Sequence, residues 1–561
     1  MRHAPYTKIK MDFCSDVFTS EEYTEFILRD GYYTRRALEP YADYCIAGIS
    51  DKWAIVSFNI NMTQESTFER LGYSFLPKLY GLSDVTAVNA AGITAVRQQP
   101  VLELYGSGTY IAIIDTGINW RHEAFLNSDG TSRIEVMWDQ QTNRIYYNRD
   151  INEALAGGGD IPGDDIGHGT YMAGVAAGNI NRQSGFSGVA PYSRLIVVRL
   201  QQAKRYLRDI YFVRDNVPAY SETDIMRAVA FVSDYSEQKG VTVSYAIGMG
   251  SNLGSHAGIS PLADYLGDEA EKPGHCVTLS AGNEGNERLH FAGRISGDEV
   301  QSVEIKVGRG ENGFVCELWS MAPEVYTVEI ISPGGQIINR LPSRTGTSTV
   351  LSFLFENTVV EIYYQLFEKS SGMNVVAMRF DSPSEGIWTI NVYGRDLTTG
   401  HYDIWIDNRE FITDDTYFVV SDPYETVTNP ANVPGCIAVA AYSHKDNSLY
   451  LKNGRGYNSN GIIKPDFAAP GVDILVPDHT GAAAYVRRSG SSIATAFTAG
   501  TAALLQEYGS RNGNMRIMTT SAIKNILISG CGRKHGITYP NREWGYGTLN
   551  LYNSIDNLRR G

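Results

Sequence analysis

Ile111-Ala-Ile-Ile-Asp115-Thr-Gly-Ile118 is a short, wholly apolar run that ends in a carboxylate and a glycine turn. An unbroken apolar run of this length reads as a strand buried on both faces, and open parallel sheets keep their sites at the strands' carboxyl ends. Asp115 is therefore delivered rigidly to such an edge. Two further segments complement it: Asp164-Asp-Ile-Gly-His168-Gly-Thr-Tyr-Met-Ala-Gly174 and Gly490-Ser-Ser492-Ile-Ala-Thr-Ala496. A buried carboxylate fixes an imidazole tautomer, the imidazole accepts a serine proton, and the serine can attack a carbonyl. That chemistry is acyl transfer, most often peptide hydrolysis.

The settings of the other two residues fit that scheme. After His168 come Gly169, Ala173, Gly174, Ala176 and Ala177, small enough for a helix to lie close against a sheet. Ser492 opens an apolar helix, Ile493 to Leu505, so its hydroxyl stands at the positive end of a helix dipole. A fourth segment, Val277-Thr-Leu-Ser280-Ala-Gly-Asn283-Glu-Gly285, puts a side-chain amide at another strand tip. Asn283 and the backbone N–H of Ser492 are the expected donors to an oxyanion.

Taken together with Lys464-Pro-Asp-Phe-Ala-Ala-Pro-Gly471, these blocks resemble the subtilisin (S8) family of serine proteases. The resemblance implies an α/β fold, a parallel sheet with helices on both faces, and Asp115, His168, Ser492 and Asn283 as catalytic residues. Ser491, Ile493 and Ala496 replace residues common in the family's serine block, and Tyr171 replaces its usual histidine; none of these removes a reacting group. The alternative is a catalytically inactive pseudoprotease acting as a binding or signalling scaffold.

In this family the strand edge after Val241-Thr-Val-Ser-Tyr-Ala246-Ile-Gly248-Met-Gly250 pairs with extended substrate, and glycines let backbone approach backbone. The resemblance thus implies Ala246, Gly248, Gly250 and Ser280 as substrate-binding residues. Glu222 to Gln238 reads as an amphipathic helix ahead of that strand.

Residues 1–98 precede what the core needs and, by resemblance, form an α/β propeptide that templates folding and then inhibits; an unrelated adaptor is the alternative. Thr19-Ser-Glu-Glu22 is a capping box for a helix through Leu28, Trp53 to Ile60 reads as a strand, and Ser66 to Leu71 as a short helix. Thr94 to Val101 is polar and, with Pro100, is expected to be extended, so self-cleavage is expected at Gln98 or Gln99. The catalytic unit is assigned to 99–289 and 421–561. Between them, 290–420 carry short alternating runs such as Ser302-Val-Glu-Ile-Lys-Val307 and Trp388-Thr-Ile-Asn-Val-Tyr393, an inserted all-β jelly roll of roughly eight strands. This architecture resembles the Csp-type germination proteases of spore-forming bacteria. Their active members release a spore-cortex hydrolase from its zymogen and can keep their own propeptide bound.

Net charge −14 over 561 residues argues against a nucleic-acid partner, which would want a clustered basic face, and none is expected. Its six cysteines are widely spaced and read as free thiols. The first ten residues hold no apolar signal core and no run is long enough to span a membrane, so a soluble, cytoplasmic or spore-associated protein is expected. No Asp-x-Asp-x-Asp loop is present; no metal and no cofactor are expected. The expected partners are a protein or peptide substrate and the chain's own propeptide as retained inhibitor.

Overall fold

The structure, a computed structural model, describes residues 17–31, 44–59, 76–82, 91–297, 299–395, 397–512 and 518–560. Its centre is an eight-stranded sheet. From one edge the order is Phe467–Pro470, Ile437–Tyr442, His275–Ser280, Val243–Ile247, Tyr110–Asp115, Arg194–Arg199, Ile134–Asp139 and Arg144–Tyr147. All neighbours run parallel except the last hairpin. Tyr110–Asp115 is interior, which is why its Ile111, Ala112, Ile113 and Ile114 are fully buried.

Helices cover both faces. On one side the helices His168–Ala177 and Ser491–Asn512 share a core with Ile113, Val197 and Val439. On the other, Glu222–Lys239 and Pro261–Ala270 pack with Ile114, Val198 and Val277. Gly169 makes the first of these packings possible: a Cβ there would lie 2.2 Å from the carbonyl oxygen of Gly117. Any side chain would push His168's helix away from the turn that follows Asp115.

The N-terminal segment departs from its sequence reading. Tyr23–Arg29 is a strand, not a helix, and pairs antiparallel with Trp53–Asn59, which also pairs with Tyr44–Gly48. The Ser20 hydroxyl does accept from the backbone N–H of Glu22, so the capping residues make a turn. Tyr23, Thr24, Phe26 and Ile27 then favour the pleated, half-buried surface that a neighbouring strand offers. This sheet packs Ile27, Trp53 and Ile55 into the core over the helix Glu222–Lys239. The short helix expected at Ser66 to Leu71 lies outside the described residues.

Residues 290–418 form two antiparallel sheets, one of six strands and one of five, where roughly eight strands in all were expected. Their facing surfaces enclose Phe314, Phe380, Trp388, Ile404 and Tyr402. The outer face of the six-stranded sheet is apolar too: Val315, Trp319, Tyr363, Val375 and Trp405 pack with Tyr206, Tyr211 and Leu253 of the parallel-sheet unit. Strand alternation with both faces apolar thus docks this unit beside the strand ends that carry the site.

One expectation on the cysteines fails. Cys45 is disulfide-bonded. Cys276, Cys316, Cys436 and Cys531 are free, and burial raises each thiol pKa, for Cys436 and Cys531 to about 12.

Candidate active site

Three strand or helix ends converge on one point. Asp115 closes its strand, fully buried, with its carboxylate accepting the N–H of Thr116 at 2.8 Å. His168 is the first residue of its helix, after a left-handed Gly167 at φ 98°. Its Nδ1–H donates to Asp115, 2.8 Å from Oδ1 and 2.9 Å from Oδ2. On the other side of the ring, Ser492 Oγ lies 3.1 Å from Nε2 and can donate to it. A carboxylate that straddles Nδ1–H holds the tautomer in which Nε2 is the base.

Asp164 fixes the loop before His168, a role the sequence did not reveal. Its Oδ1 accepts from Thr116 Oγ1 (2.7 Å), Gly167 N (2.7 Å) and Ile166 N (3.2 Å). Its Oδ2 accepts from Thr170 N (2.8 Å) and Thr170 Oγ1 (2.7 Å). Thr116 in turn accepts from Gly169 N at 2.8 Å, so one buried carboxylate ties the Asp115 turn to the helix that presents His168. The only sequence signal was its place, four residues ahead of the histidine.

Asn283 follows the strand His275–Ser280 and faces the start of Ser492's helix. Its Oδ1 accepts the N–H of Ser491 at 3.2 Å and lies 3.0 Å from Ser491 Oγ. With Oδ1 engaged, Nδ2 is the end of the amide that remains to donate. Ser491 Oγ also lies 2.6 Å from Ser280 Oγ and 3.0 Å from Gly282 O. Ser491, noted in the sequence only as a replacement, is thus the residue that orients the amide.

The predicted substrate-binding residues divide. Ser280 is 1% exposed and turned to Ser491, so it stands behind the amide rather than before a substrate. Ala246 is fully buried within the sheet, paired to Ile113 and Thr278, and is likewise removed from the cleft. Gly248 does reach the site: a Cβ there would come within 2.8 Å of Ser492 Cβ. Beyond it Met249–Gly250 is an open edge, and another segment of the chain occupies it.

That segment is Leu79–Leu82. It pairs antiparallel with Met249–Gly250 (Leu82 opposite Met249, Gly81 opposite Gly250) and, on its other side, with Tyr220–Ser221 (Tyr80 opposite Tyr220, Leu79 opposite Ser221). It is the middle strand of a three-stranded sheet and runs toward Ser492. Gln98 and Gln99 are elsewhere. Ile93–Gln98 is a helix with Ile93 and Val96 buried, packed against the C-terminal helix Leu551–Arg560, and Gln99 Nε2 donates to Tyr552 at 3.3 Å. Pro100 constrains only its immediate neighbour: Gln99 is extended, but the residues before it are helical. The expected extended segment at 94–101 is corrected accordingly.

Past His168 and Asn283, away from the paired strands, the cleft opens into a cavity of about 400 Å³ lined by Tyr171, Glu284, Glu287, Arg409, Lys452 and Arg488, among others. Arg409 comes from the loop after the last long strand of the all-β unit. Lys452 pairs with Glu287 at 2.8 Å. Burial, helped by Glu410, pushes the Glu284 carboxyl up to about 8. Among the described residues no cluster of three or more metal-ligating side chains occurs, and no helix is long and apolar enough to cross a membrane.

The profile of the subtilase family, Peptidase_S8, matches residues 106–335 and 419–547. Thermitase of Thermoactinomyces vulgaris is 25% identical over 244 residues, 43% of this chain and 69% of thermitase. The C5a peptidase of Streptococcus pyogenes is 26% identical over 194 residues, which span 28% of this chain but 16% of that much longer relative. Among solved structures, the CspB protease of Clostridium perfringens superposes with a TM-score of 0.74 at 28% identity, over 84% of this chain and 96% of that one.

Proposed function

The chain belongs to the subtilase family and is a subtilisin-like serine endopeptidase, and from that premise we propose that Ser492, His168, Asp115 and Asn283 carry its reaction. Ser492 Oγ attacks the scissile carbonyl as its proton passes to His168 Nε2, and Asp115 stabilises the imidazolium that results. Asn283 Nδ2 and the Ser492 N–H receive the oxyanion; its hydrogen bonds strengthen as the tetrahedral species forms. His168 then protonates the leaving amine, and a water repeats the sequence on the acyl-enzyme. The observation that carries this reading is the unbroken line from Asp115 through His168 to Ser492 Oγ, with contacts of 2.8 and 3.1 Å. Fluorophosphonate labelling tests it: the label is expected on Ser492 and nowhere in the Ser492→Ala protein.

The first substrate in this proposal is the chain itself. Leu79–Leu82 has the polarity and pairing of a substrate strand leading to the nucleophile. Leu82 pairs with Met249, the neighbour of the glycine that abuts Ser492, and Ser83 and Asp84 follow it in sequence outside the described residues, so the bond we propose to be cut is Ser83–Asp84. Gln98 and Gln99 lie away from Ser492 in this reading, because their helix and its partners hold them at the C-terminal helix.

After cleavage the N-terminal unit is proposed to stay bound as an inhibitor. Ile27, Trp53 and Ile55 are buried against the catalytic core, and Glu25, 2% exposed, meets Lys204 at 2.7 Å. Contacts of this kind do not depend on the bond that is cut. Likeness to the CspB protease over nearly the whole of that structure supports a trans substrate of the kind that Csp-type proteases act on, a spore-cortex hydrolase zymogen. The assay is release of the mature hydrolase from its zymogen by wild type and not by Ser492→Ala.

A further inference from the structure

We propose that the all-β insertion completes an acidic subsite for a basic side chain, five residues before the residue whose carbonyl is attacked, and that Lys78 fills it in the uncut chain. The inference rests on the reading of Leu79–Leu82 as a substrate strand.

Three observations build the site. First, the strand pairing extends back to Lys78: Glu222 N donates to Lys78 O at 2.9 Å, and Lys78 N donates to Glu222 Oε2 at 3.2 Å. The backbone at 78 is thereby held by the catalytic unit. Second, the ammonium turns to the insertion, where Lys78 Nζ lies 3.6 Å from Glu317 Oε1. Glu317 sits on the strand Gly313–Ser320 and its side chain is fully buried. Its Oε2 is held by Gly254 N at 2.8 Å and Trp319 Nε1 at 3.0 Å, while Oε1 has no hydrogen-bond partner among the described residues and faces the lysine. Third, a small cavity adjoins the pair, lined by Glu222, Trp319, Glu368 and Asn429. Glu368 adds a second acidic group from the insertion.

Charge balance decides which residue the site accepts. Burial holds the Lys78 ammonium pKa below its ordinary value, and Glu317, Glu222 and Glu368 oppose that shift in part. Vacating the site leaves a carboxylate oxygen dry and unpaired, which is costly in a way that the bare attraction is not. A neutral occupant repeats that cost, and an acidic one adds like-charge repulsion. Leu76 and Leu79, each 2% exposed, flank the lysine in the apolar cluster shared by both units, so the segment is read as apolar, basic, apolar. The insertion thereby acts on specificity through a strand neighbour of Trp405 and Trp319, far along the cleft from Ser492.

The test uses the full chain and then substrates in trans. Lys78→Arg, Lys78→Gln and Lys78→Glu are compared for the rate of self-cleavage, with the new N-terminus sequenced and folding followed by melting in a Ser492→Ala background. Arg is expected within a few-fold of wild type, Gln about tenfold slower and Glu about a hundredfold slower, as fits loss of one or two charge-assisted contacts. Processed enzyme from which the bound N-terminal unit has been removed is then given peptides spanning residues 76–88 with Lys, Gln or Glu at position 78. The same ranking is expected in kcat/KM, a readout that a purely structural role in folding the N-terminal unit would not move. Cleavage at Ser83–Asp84 with no dependence on the residue at 78 overturns the subsite alone. Cleavage at another bond overturns the substrate-strand reading, and the subsite with it.

Discussion

Asp164→Asn is the substitution whose effect the structure best defines. The carboxylate is 6% exposed and accepts five hydrogen bonds, from Thr116 Oγ1, Ile166 N, Gly167 N, Thr170 N and Thr170 Oγ1. An asparagine of the same shape can keep the three bonds to Oδ1, but as neutral bonds, each weaker by about 1 kcal/mol. Its NH₂ then faces the Thr170 N–H, so one buried donor loses its partner at a cost of about 1–3 kcal/mol. Relaxation of the loop recovers part of this, and a net loss of about 3 kcal/mol is expected. Because the loop places His168 against Asp115, a displacement of even an ångström is expected to slow turnover about a hundredfold. Urea unfolding in a Ser492→Ala background measures the first quantity, and the rate of fluorophosphonate labelling with Ser492 intact measures the second. Stability within about 0.5 kcal/mol of the parent, together with an unchanged labelling rate, would refute the assignment of Asp164 as the brace of the histidine loop.

Asn283→Ala is expected to lower kcat on the order of a hundred- to a thousandfold with little change in KM, a size measured at the matching donor in subtilisin itself; steady-state kinetics on a peptide substrate decides, and a rise in KM at constant kcat would reassign the residue to ground-state binding. Glu284 gives a pH dependence of definite sign. Its carboxyl, ordinarily near 4.5, is held at about 8 in the folded protein by burial, so the folded state binds the extra proton and stability falls as pH rises from about 4.5 through about 8. Glu284→Gln should flatten that part of the stability curve and leave the variant relatively more stable at pH 8; an unchanged curve in urea titrations at pH 5 and 8 would contradict it.

The site was legible in the sequence where a residue sits at the end of an unmistakable element. Asp115, His168, Ser492 and Asn283 each close or open an apolar run, and the structure brings all four together. Residues that act through neighbours were not legible. Asp164 and Ser491 matter because of what the loop folds back upon, and no local pattern encodes that. Ser280 and Ala246 stand away from the cleft because their strands are buried on both faces, so neither alternate set of side chains is open to a substrate, and an apolar run alone does not show where the buried stretch ends. The segment Tyr23–Arg29 shows a local helix-start signal yielding to strand partners thirty residues on. Gln98 was lost by extending a proline's reach from one residue to several. In the all-β unit, strand character was plain from alternation, but strands as short as Ile337–Ile338 and Tyr417–Phe418 leave no periodicity to read.

Mass and N-terminal sequencing of the purified wild-type and Ser492→Ala proteins test the central claim most directly. Cleavage of wild type after Ser83, leaving a new N-terminus at Asp84 and a co-purifying N-terminal fragment, with Ser492→Ala intact, is the predicted result. Identical cleavage in the Ser492→Ala protein would contradict catalysis by this serine, a wild-type chain that stays uncut would support a non-catalytic scaffold, and a new N-terminus at Gln99 would contradict the role of Leu79–Leu82 as the substrate strand.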